Sequence, residues 1–255
     1  MERHLADTAA YHRIINQDAT LKNAQTKSRN LVLKLFKNKD RDGNDGLMQT
    51  RSRDFYLVFE SAILQLYLLP EIHKPENEIT GTLQKRPVLG GCRAPTRPDN
   101  WMCTAFLNPL LRLLPERLQD TTDFLNKVTS IRDPAPCRAC LFSMDVVSLY
   151  PSISQREAAK VVATFFDENE QRITQLREAG VWRPPHKQLF KEAILHVIRD
   201  TLLQFDGKVY RQTNGTSIGA SSSVTIADIF MHVVFERERS HREDAPAVYH
   251  RLGSI

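Results

Sequence analysis

Asp145 is the residue whose surroundings most constrain its chemistry. It stands in the apolar run Leu141-Phe-Ser-Met-Asp-Val-Val147, bounded by Cys140 and the Pro151 turn, and that pattern predicts a buried strand. A bare carboxylate carries a large penalty in an apolar setting, so it must pair, shift its pKa or bind a cation. Five residues on, Tyr150 marks the point where the chain leaves the run. A metal-binding aspartate at a strand end beside an aromatic suits phosphoryl transfer: the carboxylate holds a dication, and the ring stacks beneath a sugar. The bland reading is a structural aspartate with a paired partner.

Two other patterns suggest metal binding. Cys137-Arg-Ala-Cys140 has ligand spacing, but a zinc site needs two further ligands, and Cys92 and Cys103 do not form a second such pair. With four cysteines in 255 residues, reduced thiols are expected rather than a disulfide framework. The acidic stretch beginning at Asp40 lacks the glycine and glutamate of a calcium loop, because Asp45 and Arg51 occupy those positions; it reads as a turn.

Positioning elements follow from periodicity. The first fifty residues look helical in patches, and Phe55–Leu69 predicts a helix running into a short buried strand, followed by a polar loop over 70–87. A helix is expected over Asn100–Leu114, and a shorter one from Thr121 with Asp123 in its first turn. Ser154 and Glu157 form a capping-box start for an amphipathic helix. Pro184-Pro185 opens another that carries Leu189, Phe190, Ile194, Val197, Ile198 and Leu202. Asp206-Gly207 predicts a type I′ hairpin, and a last helix spans Ser222–Glu238 with Val224, Ile229, Phe230, Val233 and Val234 inward.

The formal charge is +5, and residues 1–53 supply all of it, with eleven Lys/Arg against six Asp/Glu. This divides the chain into a basic leader over 1–53 and a folded domain over 54–255. Clustered cations suit a phosphate backbone through counterion release, although a solvated leader has the same composition. No apolar run is long enough to cross a bilayer and no signal peptide is apparent, so the expectation is an intracellular protein with no membrane partner.

The stretch Ser143–Ile153 resembles motif A of Penelope-like retroelement reverse transcriptases. Leu69-Pro-Glu-Ile-His-Lys-Pro75 is similar to that family's Leu-Pro-Lys-Ile-His-Lys-Pro, and Arg86-Pro-Val88 to its Arg-Pro-Ile. Tyr210–Ala220, followed by Ala227–Met231 and Glu236, resembles motif B, and Asp120–Phe124 sits where the family has a similar segment. The resemblance covers about residues 66–251 in the family's order and spacing.

It implies a helix-rich α+β fold of fingers and an incomplete palm sheet, acting as part of an RNA-directed DNA polymerase. Its partners would be an RNA template, a DNA primer and deoxynucleoside triphosphates, in the nucleus. Asp145, with the Val146 carbonyl, would ligate two Mg2+ ions. Arg86 and Lys74 would meet the triphosphate, Tyr150 would gate the sugar, and Gly219 would let backbone approach the nascent pair. Gln212 would join this nucleotide site.

Three departures stand out. Glu71 replaces a lysine, motif B continues Gly219-Ala-Ser-Ser-Ser-Val224 without proline, and no Asp-Asp of motif C follows Tyr249-His-Arg-Leu-Gly-Ser-Ile255. A non-catalytic nucleic-acid-binding remnant is therefore a competing expectation. A family B DNA polymerase shares Ser148–Ile153 but would carry a Lys-x-x-x-Asn-Ser-x-Tyr-Gly helix, which this sequence lacks.

Overall fold

A computed structural model describes residues 10–37, 57, 61–70, 72, 83, 85–90, 93–131, 142–146, 148–172, 187–217 and 219–252. Strand β1 (Tyr11–Ile14) leads into helix α1 (Gln17–Lys37), whose first turn is capped where the Ala19 amide donates to Asn16 Oδ1 at 3.1 Å. Strands β2 (Leu64–Pro70) and β3 (Lys85–Leu89) form an antiparallel pair. Helix α2 (Arg97–Leu107) passes at Pro109 into a 3₁₀ turn over Asn108–Leu113, shortening the helix expected over 100–114. After β4 (Arg117–Leu118), helix α3 (Thr121–Thr129) starts as expected, with Asp120 Oδ1 accepting from the Asp123 amide at 2.8 Å.

The second half begins with the short α4 (Leu149–Ser152) and α5 (Gln155–Glu168), the latter at the expected start but without the Ser154 side-chain cap. Then come α6 (Lys187–Arg199), β5 (Leu202–Phe205), β6 (Lys208–Gln212) and α7 (Ser221–Met231). A π-helical segment, His232–Glu236, extends α7 into the short α8 (Arg237–Arg239), and β7 (Arg251–Leu252) pairs parallel with β4. Five strands form one mixed sheet in the order β1-β6-β5-β2-β3. The β5–β6 turn is the expected one: Asp206 and Gly207 take φ of 49° and 67°, the left-handed pair of a type I′ hairpin.

The helices enclose the larger core, where Phe106, Phe166 and Phe190 meet, the last two with ring centroids 4.4 Å apart. A smaller cluster of Leu64, Leu66, Leu89, Ala94 and Leu203 covers the sheet. The fold is thus α+β and helix-rich. Among the described residues no helix is long and apolar enough to cross a membrane.

Four expectations are corrected. The described part of the run predicted to be a buried strand, residues 142–146, is irregular and exposed. A strand needs a hydrogen-bonding neighbour, and the β5–β6 hairpin offers none to this segment, since it is occupied on both sides by β1 and β2. Leu202 belongs to β5 rather than to the preceding helix, which ends at Arg199. Val234 is exposed, because the π turn rotates its face outward and carries His232 and Glu236 in. Residues 11–37 are no separate leader: β1 joins the sheet, and Leu31, Val32 and Leu35 of α1 lie in the core.

Candidate functional site

The segment after β6 brings two of the recognised motifs together. Gln212 is buried and its side-chain amide donates to the Asn214 carbonyl at 2.9 Å, so its headgroup shapes the loop. The Thr216 amide donates to the Tyr150 carbonyl at 2.9 Å, and Gln155, at the start of α5, donates from Nε2 to the Gly215 carbonyl at 3.0 Å. Gly215 takes φ of 74°, and a Cβ there would lie 2.7 Å from both Pro151 Cα and the Tyr150 carbonyl oxygen. Glycine is required on both counts.

The far end of the same loop reaches a third motif. Gly219, at φ 116°, sits so close to the Leu89 carbonyl that any Cβ would collide with it. Leu89 ends β3, the strand that carries Arg86 opposite Leu69. The loop from Gln212 to Gly219 therefore spans from the Tyr150–Pro151 turn to the strand of Arg86. Arg86 is exposed, and Tyr150 is half-buried against the helical core. Asp145 and Val146 lie on the exposed irregular segment, and Lys74 falls outside the described residues, as do Cys92, Cys137 and Cys140. Cys103 is buried, which pushes its thiol well above the usual range and leaves it unsuited to reaction.

A second polar cluster lies under α7. Asp228 is fully buried and accepts from Arg117 Nε at 2.8 Å and from Arg251 Nη1 at 2.5 Å. Arg251 also donates from Nε to Glu236 Oε1 at 2.5 Å, and His232 Nδ1 lies 2.9 Å from Glu116 Oε2. These pairs fasten β4 and β7 to the helix. Sequence reading missed them, although Asp228, His232 and Glu236 recur every four residues on one helix face, a polar stripe where a core stripe belongs.

A third cluster joins α2, α6 and β6. His196 Nδ1 lies 2.8 Å from Asp200 Oδ2, and its Nε2 is 3.3 Å from the fully buried Asp99 without an aligned hydrogen bond. Burial opposes charge on His196, but the two carboxylates outweigh it and hold the imidazole up to about 9. Burial likewise raises Asp99, whereas Asp200 is held low by His196, Lys27 and Arg211 against its own burial. Because the His196 pKa is raised above its unfolded value of 6.5, its contribution is complete below pH 6.5 and is lost as pH rises through about 9. We expect stability to urea to fall by about 3 kcal/mol across that window, and His196→Gln to flatten the profile there. A wild-type profile already flat between pH 6.5 and 9 would refute this.

No protein-family model matches the chain, and no curated protein matches it.

Proposed function

We propose that this chain contributes the fingers and part of the palm of a Penelope-like RNA-directed DNA polymerase. The observation that carries this reading is the Gln212–Gly219 loop, seated on the Tyr150–Pro151 turn at one end and on the Arg86 strand at the other. These are three stretches recognised separately in sequence, and a nucleotide site built from them requires their convergence. On this reading Arg86, with Lys74, meets a deoxynucleoside triphosphate, Tyr150 faces its sugar, and the Gly219 backbone approaches the base pair. Asp145 and the Val146 carbonyl would hold Mg2+, which would supply activation of a primer 3′-oxygen and neutralisation of a leaving pyrophosphate. The RNA template and DNA primer would be met in the nucleus.

A second reading has its own support. Asp145 is exposed on an irregular segment, and it does not belong to any group of three metal-ligating side chains among the described residues. Two dications about 4 Å apart repel strongly and need several anionic ligands. That favours a chain that binds nucleic acid without catalysis.

Fluorescence anisotropy with an RNA–DNA primer–template, beside primer extension in Mg2+, tests both. We expect binding whose log affinity falls linearly with log salt. Lys22, Arg29 and Lys34 are exposed on α1, and their joint replacement by glutamine should lower the slope by roughly 0.9 for each phosphate no longer neutralised. Removing residues 1–53 is no substitute, because α1 is part of the core. Salt-independent affinity would overturn both readings. Extension by residues 1–255 that Asp145→Asn abolishes would decide for the polymerase, whereas binding without extension is the outcome that both a partial palm and the non-catalytic reading give.

A further inference from the structure

We propose that Glu116, His232 and Glu236 form a binding site for one divalent transition-metal ion, zinc by the nature of its donors. Glu116 precedes β4, and His232 and Glu236 stand at the two ends of the π-helical segment. Their ligand atoms all lie within 4.8 Å of one another, the one such group of three among the described residues. His232 Nδ1 is 2.9 Å from Glu116 Oε2 and 4.0 Å from Glu236 Oε2.

The independent sign of a cation site is Glu236 itself. It is 2% exposed; its Oε1 accepts from Arg251 and, at 3.2 Å, from the Tyr249 hydroxyl, but its Oε2 is buried with no hydrogen-bond partner. An orphaned buried carboxylate oxygen is strongly unfavourable. Protonating His232 does not repair this, because the single N–H at Nδ1 is already directed at Glu116, and 4.0 Å is too long for a hydrogen bond. A metal ion in place of that proton accepts all three atoms at once, with the imidazole proton carried on Nε2. The charges allow it: Glu116, Asp228 and Glu236 outnumber Arg117 and Arg251 by one.

Donor chemistry selects the ion. An imidazole nitrogen disfavours Mg2+ and Ca2+, and a mixed nitrogen–oxygen set suits zinc, which imposes little geometric preference of its own. Zinc bonds of about 2.0–2.1 Å place tetrahedral ligand atoms roughly 3.3 Å apart, so the three side chains need to move by less than about 1 Å. Three protein ligands leave a fourth position for water. The π turn fits this reading, since its wider turn brings residues four apart onto one side, and such turns recur at functional sites. The site would clasp the loop before β4 to the end of α7. It is separate from Asp145 and does not depend on the polymerase reading.

The test uses the full chain, stripped with a chelator and titrated with zinc against a chromophoric competitor. One zinc is expected to bind with micromolar affinity or better, and to raise Tm by about 5–10 °C at a hundredfold excess over Kd. Glu116→Gln and His232→Asn should each weaken binding at least tenfold, while Cys137→Ser/Cys140→Ser leaves it unchanged. Cobalt(II) added to the wild type provides a readout that needs no variant: visible d–d bands without the near-ultraviolet absorption of a thiolate ligand. Absence of zinc binding, loss of it in the cysteine variant, or a thiolate band in the cobalt spectrum would overturn the proposal.

Discussion

Asp228→Ala is expected to lower unfolding free energy by about 3–5 kcal/mol, enough to remove much of the stability of an ordinary domain. The aspartate is fully buried and holds two guanidinium groups from distant parts of the chain, Arg117 and Arg251. Its loss leaves Arg117 without its carboxylate and Arg251 with Glu236 and the backbone carbonyl of position 228. The penalty belongs mostly to those abandoned charges rather than to the value of the pairs, so a compensating change should recover part of it. Asp228→Leu combined with Arg117→Met is therefore expected to be more stable than Asp228→Ala. Equilibrium urea denaturation followed by circular dichroism measures both. A loss under about 1 kcal/mol in Asp228→Ala would mean that the arginines find water readily, and the clasp would then contribute little.

Gly215→Ala is expected to be nearly as severe, and comparison with Gly207→Ala separates its two causes. Both glycines have positive φ, 74° and 67°, so each alanine carries a left-handed strain of about 1–2 kcal/mol. At Gly207 a new methyl meets open space, and the strain is the whole effect. At Gly215 it meets the Tyr150–Pro151 backbone, which cannot swing aside as a side chain would. Overpacking adds about 1–3 kcal/mol, for a total of about 2–5 kcal/mol. The same variant should displace the loop from the Tyr150 turn, and primer–template affinity should fall with it. Equal losses at the two positions would show that the loop is not pressed against that turn.

What could be read from the sequence was decided by how local the cause is. The Asp206-Gly207 hairpin and the α3 start at Thr121 depend on residues within a few positions of one another, and both are found where expected. The strand expected around Asp145 had the right pattern, but a strand exists only beside a partner, and hydrophobicity along one segment does not contain that partner. Charge misled at the N-terminus: exposed lysines and arginines of α1 conceal the opposite face, where Ala24, Leu31, Val32 and Leu35 are buried. Of the proposed nucleotide site, the motif order in sequence placed the stretches one after another but contained neither the contact of Gly215 with the Tyr150–Pro151 backbone nor that of Gly219 with Leu89. The Glu116–His232 pair was invisible, since 116 positions separate its members. Only the i, i+4, i+8 recurrence of Asp228, His232 and Glu236 could have signalled it.

The pairing of β1 with β6 sets an order of events during synthesis. Tyr11 and Gln212 are register partners about two hundred positions apart, and β2 reaches β5 across a gap of 139. At about 5–20 residues per second, a ribosome releases β1 roughly 10–40 s before its neighbour exists. Through that interval the inner face of α1 is also without the α6 residues it packs on. High contact order of this kind slows folding and leaves strand edges open to other chains. The β5–β6 hairpin, closed by a two-residue turn, supplies the edges on which β1 and β2 pair from opposite sides, so the five-stranded sheet cannot be completed before one of its last-made parts exists.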